Sequence, residues 1–343
     1  MTHELKKIIE TAVAARRQGH KAVLATVVAL NGSSYRRPGV RMLLLENGKI
    51  TGAVSGGCVE KEVQRQAASV FTTGVSKLMT YDGRYRLGCE GVLYILLERF
   101  NPGEAFLRAF ADTIKSRRSF QVTSFYKKEE GAHPAMGTFI MFSGEKVFPV
   151  SEGRKAPEAE QTALQTFVQK MPSRFTLLIL GAEHDAVQLC AFAAMTGWEV
   201  TVVTELSDPK PPEHFPGADK VCALSAGELH TLPIDGQTAV VIMSHNFAID
   251  LKYLMALKDT RPCYLGLLGP AKRREKLWAQ LMEHCPDLNP DFPETLHGPA
   301  GLNIGAETPQ EIAIAIMAEI LSVIRNQQPI ALREKTTGIH TSS

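Results

Sequence analysis

Apolar positions along this chain change period several times, and each change marks an element. Leu5, Ile8, Ile9, Ala12 and Val13 recur every three to four residues, which predicts an amphipathic helix stopped by Gly19. The unbroken apolar run from Ala22 to Leu30 predicts a buried strand. Met42–Leu45 and Ile50–Val54 flank Glu46-Asn47-Gly48-Lys49, a hairpin signature. Val59, Val63, Ala67 and Val70 return to helical spacing. Strands are expected at Leu78–Tyr81, Val92–Leu97, Phe120–Tyr126 and Thr138–Phe142, with a helix over Glu104–Lys115. The polar stretch Glu152–Lys170 carries helical spacing, and Pro172 marks a domain boundary.

Beyond Pro172 the alternation of strand and helix is regular. Phe175–Leu180 is a buried strand, followed by a helix running to Gly197 and a second strand at Glu199–Thr204. Further strands are expected at Val221–Leu224, Ala239–Met243 and Cys263–Leu268, with helices at Phe247–Leu257 and Pro270–His284. Thr308, Pro309 and Glu311 occupy the N-cap, N1 and N3 positions of a last helix striped by Ile312, Ile316, Ile320 and Ile324. The fold class is therefore α/β. An N-terminal α+β domain with its linker (1–171) precedes a C-terminal Rossmann-like, doubly wound parallel-sheet domain (172–343).

Composition narrows the function only by exclusion. The 343 residues suffice for two cores. A formal charge of +2 gives no argument for nucleic acid or a membrane surface as partner. Six cysteines with no C-x-x-C pair fit a reducing cytoplasm better than a disulfide framework. The first residues thread charges through the sequence and lack the apolar core of a signal peptide.

Candidate chemistry gathers at Ser55-Gly56-Gly57-Cys58-Val59-Glu60, where two glycines deliver a cysteine to a helix start. A helix N-terminus can hold an anion or acidify a thiol; a tight turn with a small buried cysteine is the alternative. Arg36, Arg37 and Arg41 lie in and after a loop rich in turn formers, positioned for a phosphate or carboxylate or else for local acids. Leu87-Gly88-Cys89-Glu90-Gly91 forms a second Gly–Cys turn. In the second half, Gly181-Ala182-Glu183-His184-Asp185-Ala186 follows a strand, and Glu205 sits where a ribose-binding carboxylate belongs. Glu183 replaces the glycine that lets a pyrophosphate approach, so ordinary NAD(P) binding is disfavoured. His184 and His245 make a weak metal case without a spaced carboxylate set.

These residues, taken together, resemble the XdhC/CoxI family of accessory proteins for molybdenum hydroxylases. The resemblance rests on Gly32-Ser33-Ser34 through Arg37-Pro38-Gly39-Val40-Arg41-Met42, on Ser55–Glu60 and on Leu87–Gly91. It continues through Tyr264-Leu265-Gly266-Leu267-Leu268-Gly269 and Leu302-Asn303-Ile304-Gly305-Ala306-Glu307-Thr308-Pro309. The chain departs from the family pattern at Tyr35, Glu90 and Glu183. The resemblance implies a chaperone that binds molybdenum cofactor, protects its sulfurated form and inserts it into an apo-enzyme such as xanthine dehydrogenase or CO dehydrogenase. It further implies a cysteine desulfurase partner, a homo-oligomer, no catalytic residue and Cys58 as the residue touching cofactor and metal. Ser55, Gly56, Gly57, the three arginines and Cys89 would surround it, with Gly181 and Glu205 as the nucleotide-side candidates. The rival reading is an NAD(P)-dependent oxidoreductase working from the second domain.

Overall fold

In the computed structural model the chain divides into two compact units, Met1–Arg174 and Phe175–Ser343. The structure describes residues 1–32, 37–83, 91–142, 144, 146–157, 164–289 and 292–336, with the backbone alone for Cys58, Pro293 and Glu294.

The first unit runs α1 (Thr2–Arg17), β1 (Ala22–Asn31), β2 (Arg41–Leu45), β3 (Ile50–Gly52), α2 (Cys58–Thr73), β4 (Lys77–Asp82) and β5 (Val92–Arg99). It continues with α3 (Glu104–Lys115), β6 (Phe120–Tyr126), β7 (Gly131–Ala132), β8 (Gly137–Met141), β9 (Val147–Pro149) and β10 (Gln165–Met171). One antiparallel sheet has the order β3-β2-β1-β5-β4-β7 and a second the order β10-β6-β8-β9. The period-2 alternation of β1 and β2 assigns each side chain to a face of the first sheet. Val23, Ala25, Met42 and Leu44 pack with Val59, Val63, Ala67 and Val70 of α2. Leu24, Leu43 and Leu45 point the other way, into a core with α1, α3 and the second sheet.

The helical spacing expected over Glu152–Lys170 is not what forms. Gln165–Met171 is a strand that pairs along the whole of β6, from Gln165↔Tyr126 to Met171↔Phe120. A polar segment takes its conformation from the edge available to it, and β6 supplies a ladder partner for every residue. Residues 158–163 of that segment lie outside the described residues.

The second unit runs β11 (Thr176–Leu180), α4 (His184–Met195), β12 (Glu199–Thr204), β13 (Lys220–Ala223), β14 (Thr238–Ile242) and α5 (Phe247–Leu257). After these come β15 (Tyr264–Leu267), α6 (Ala271–His284), α7 (Phe292–Thr295), β16 (Leu296–His297) and α8 (Pro309–Ile324). All pairs are parallel in the order β13-β12-β11-β14-β15-β16, the Rossmann arrangement the sequence predicts. α4 and α8 cover one face and α5 and α6 the other. Thr308 caps α8 as its sequence foretells, accepting from the Glu311 amide at 3.3 Å. Among the described residues no helix is long and apolar enough to cross a membrane.

Candidate functional site

Strand direction brings three stretches of the first unit to one end of its sheet. β1 and β2 are antiparallel, with Thr26 opposite Arg41, so the loop between them opens at the end where β1 finishes. β3 runs back along β2, placing Gly52 opposite Met42, and the chain leaves for α2 at that same end. Asn31 pairs with Val92 and Asp82 with Val92, so β4 finishes and β5 begins there too. The ladder closes with the Gly83 amide donating to Gly91 O at 3.1 Å. The arginine loop, the Gly-Gly-Cys turn and the stretch holding the second Gly–Cys turn are thus anchored side by side. Arg36 and Cys89 themselves lie outside the described residues. Arg37 is exposed.

The turn into α2 is built from its backbone upward. Val54 is fully buried in the core beneath α2, which pins the turn to the sheet. Gly57, the N-cap, has φ +130° and ψ −44°, a region closed to L side chains. Gly56 and Gly57 are exposed, and a Cβ at either would meet nothing within 4 Å. Only the conformation, therefore, demands glycine at 57, and the backbone stands open to a ligand. Cys58 is the first residue of α2. Glu60 ties the turn together from inside the helix. One carboxylate oxygen accepts from the Val54 and Ser55 amides at 3.1 and 2.7 Å, and the other from the Gly57 amide at 2.7 Å. First-turn amides of a helix have no intrahelical carbonyl, so those from Cys58 onward are the donors this turn can offer. A cysteine at the first position of such a helix is the residue type that suits an anionic ligand carrying a soft metal.

Arg41 does something else. It shares the face of Leu43 and Leu45, away from α2, and is only 8% exposed. Its guanidinium donates to Gly39 O at 2.9 Å and to Gln169 Oε1 at 2.7 Å. Burial lowers its pKa to about 10, against the pull of Glu98 and Glu4. Arg41 therefore braces the end of the arginine loop against β10 on the face opposite the Cys58 helix.

In the second unit Gly181 ends β11 at φ +142°, and a Cβ there would strike the Met243 carbonyl and lie 2.9 Å from Ser244 N. This is the close approach that the first glycine of the Rossmann turn provides. Glu183 is the exposed N-cap of α4 and Asp185 lies in its first turn, so two carboxylates occupy the helix end where a pyrophosphate would sit. Glu205 is half-buried just past β12. Of the basic residues opening α6, Arg273 donates to Asp250 at 2.7 Å and Arg274 to Gly298 O at 2.6 Å, while Lys272 is exposed.

Two features are not apparent from the motifs alone. His245 Nε2 lies 3.2 Å from Asp185 Oδ2, joining the loop after β14 to the first turn of α4, and its φ is +56°. That loop is held by Asp250, 1% exposed, which accepts from Ser244 N at 3.3 Å, Ser244 Oγ at 2.5 Å and Arg273. Spacing could not pair His245 with Asp185, because their contact depends on which strands are neighbours. Among the described residues no cluster of three metal-ligating side chains forms.

Comparison with known proteins agrees with this architecture. Residues 15–82 match the model of the XdhC and CoxI family, and residues 177–320 match the XdhC Rossmann domain. A Bacillus subtilis (strain 168) protein, named as a probable xanthine dehydrogenase subunit, is 29% identical over 88% of this chain and 92% of its own length. The molybdenum cofactor insertion chaperone PaoD of Escherichia coli (strain K12) is 24% identical over 96% of this chain and 91% of its own. A solved structure described as a xanthine dehydrogenase from Bacillus halodurans superposes with a TM-score of 0.77 at 25% identity, covering 94% of this chain and 96% of that one. With both of its units matched in order, and with the Gly-Gly-Cys turn and Rossmann sheet in place, the chain belongs to the XdhC and CoxI family.

Proposed function

We propose that this protein is an accessory factor that carries molybdenum cofactor as cargo and delivers it to a molybdenum hydroxylase apo-enzyme of the xanthine dehydrogenase class. The observation that carries this reading is the convergence of the arginine loop, the Cys58 turn and the second Gly–Cys stretch at one end of the first sheet. The cargo is an anionic pterin with a phosphate and a thiophilic metal. Cys58 supplies a soft ligand to the metal, with Cys89 as a second contact. Ser55, Gly56 and Gly57 give the approachable backbone, and Arg36 and Arg37 supply positive charge. The names of the relatives, a cofactor insertion chaperone and a xanthine dehydrogenase subunit, support an accessory role.

The finer steps belong to the same proposal. Coordination by Cys58 retains the sulfurated cofactor on the protein until transfer, and this retention is the protection proposed. A cysteine desulfurase supplies that sulfur, and the working form is a cytoplasmic homo-oligomer. No residue is assigned a catalytic role, since transfer needs the Cys58–metal contact to form and release and no chemical conversion of the cofactor by the chain. The test is a reconstitution. Cofactor-loaded wild-type protein should restore activity to a purified apo molybdenum hydroxylase, and Cys58→Ala protein prepared in the same way should not. Equal restoration by both would remove Cys58 from the mechanism.

A further inference from the structure

In the first unit, α1 and α3 leave a groove between them that the cofactor reading does not use. We infer that this groove receives an amphipathic helix of about three turns from a partner protein, apolar along one stripe and acidic at both ends.

The two helices lie side by side and run in opposite directions. Arg16, near the end of α1, donates at 2.9 Å both to Pro102 O and to Glu104, the first residue of α3, so α3 starts where α1 stops. It then returns along α1, and both helices bury their inner sides in the core they share with the two sheets. Their outer sides do not meet. Between them is a groove of about 580 Å³, walled by Ile9 and Val13 of α1 and by Leu107, Phe110, Ala111 and Ile114 of α3. Ile9 and Phe110 form its floor and are buried, Val13, Leu107 and Ile114 are half-buried, and Ala111 is exposed. Each wall repeats at intervals of three to four residues, which makes it a helix ridge of the kind another helix packs against.

Shape, lining and charge together choose the occupant. From Lys6 to Arg17 the groove extends about 16 Å along α1, the length of three helical turns. Small-molecule sites add convergent polar groups to their apolar walls, whereas the six wall residues here are all apolar. The charges stand at the ends instead. Lys6 and Arg17 lie one turn beyond Ile9 and Val13, and Lys115 lies one turn beyond Ala111. Lys6 is 3.7 Å from Glu10, so those two charges offset each other, and Glu104 is taken by Arg16. Arg17 and Lys115 are exposed and make no ion pair among the described residues. Because the helices are antiparallel, these two cations mark opposite ends of the groove. A docked helix with acidic ends meets both, and one with basic ends is repelled by both.

The groove also lies apart from the Cys58 turn. α1 and α3 pack on the face of the first sheet that carries Leu24, Leu43 and Leu45, whereas α2 covers the face of Val23, Ala25 and Met42. A helix seated in the groove therefore leaves the turn open, and the inference stands without the cofactor reading.

Selection of displayed peptides on the immobilised full chain tests the assignment. The library holds helical peptides of about fourteen residues, with leucine fixed at i, i+3 and i+7 and every other position randomised. Selection should enrich Asp and Glu at the peptide ends. By fluorescence anisotropy the best peptide should bind saturably, and at least about tenfold more weakly to Ala111→Arg, whose side chain fills the groove. The double variant Arg17→Glu/Lys115→Glu should also weaken it about tenfold, and thermal melts verify that both variants fold. Since Arg17 and Lys115 are exposed at helix ends, that variant carries the test alone if Ala111→Arg does not fold. The assignment falls if no peptide is enriched, if the enriched peptides lack acidic ends, or if both variants bind as tightly as wild type. It falls equally if sedimentation shows the wild type self-associated and Ala111→Arg monomeric, because a second copy then fills the groove. Each of these failures leaves the Cys58 assignment untouched.

Discussion

Replacing Glu60 by alanine should unfasten the turn that presents Cys58. Its carboxylate accepts three amide bonds, from Val54, Ser55 and Gly57. Hydrogen bonds to a charged group contribute about 1.5–3 kcal/mol when desolvated. The Gly57 and Ser55 amides lie in an open turn and would rehydrate, so they count for little. The Val54 amide belongs to a fully buried residue and counts nearly in full. The expected loss is therefore about 2–3 kcal/mol, below the naive sum for three charged bonds. For a unit of this size each kcal/mol moves the midpoint by about 2–4 °C, which predicts a fall of roughly 5–10 °C in the melting of Met1–Arg174. Differential scanning calorimetry of the full chain reads it as a shift in one transition only. Glu60→Gln keeps one acceptor oxygen and should recover about half. A Glu60→Ala midpoint within about 1 °C of wild type would refute the clamp and, with it, the idea that the turn is preorganised.

Four further outcomes follow. Arg41→Met should cost about 2 kcal/mol through its bonds to Gly39 and Gln169, yet leave cofactor content unchanged below the melting temperature; loss of cofactor with the fold intact would return Arg41 to the site. Gly181→Ala should destabilise the second unit by about 3 kcal/mol or more, since its Cβ meets Met243 O and its φ is left to glycine; a denaturant midpoint like wild type would contradict this. Burial holds the Glu98 carboxyl above its ordinary 4.5, against the bonds from Thr138 and the charges of Arg154 and Arg41. The folded state then binds that proton more tightly than the unfolded one, so its contribution is full below 4.5 and is lost as pH rises through the folded value; Glu98→Gln should flatten that fall in urea midpoints, and an unchanged slope would assign it elsewhere. Tyr264→Phe should destabilise the second unit by about 1–2 kcal/mol, because Tyr264 donates at 2.6 Å to Glu319, which also ties down Gly301 and His297; urea unfolding indistinguishable from wild type would argue against it.

Much of this architecture was legible because local and global signals agree. The Rossmann unit announces itself through buried apolar strands separated by helices, and the α8 cap through Thr308, Pro309 and Glu311. The α2 start was equally visible, since Gly57 and Cys58 precede a valine stripe at helical spacing. Side-chain direction was not. Arg41 reads as a third arginine just beyond the loop, but the pleat of β2 turns it with Leu43 and Leu45 away from α2. Gln165–Met171 lay in a stretch read as helical from its spacing and became a strand because β6 had an open edge. The His245–Asp185 pair was hidden for a related reason. Each residue looks ordinary until the parallel order sets β14 beside β11.

The proposed cofactor carriage rests most on Cys58, and one measurement reaches it directly. Wild-type, Cys58→Ala and Cys222→Ala proteins, the last altering a cysteine of the second unit, should be purified from cells making molybdenum cofactor. Each is then assayed for molybdenum and for oxidised pterin fluorescence per chain. The prediction is cofactor bound by wild type and Cys222→Ala alike, and roughly an order of magnitude less on Cys58→Ala. Equal cofactor on Cys58→Ala and wild type would contradict the assignment of the Gly-Gly-Cys turn.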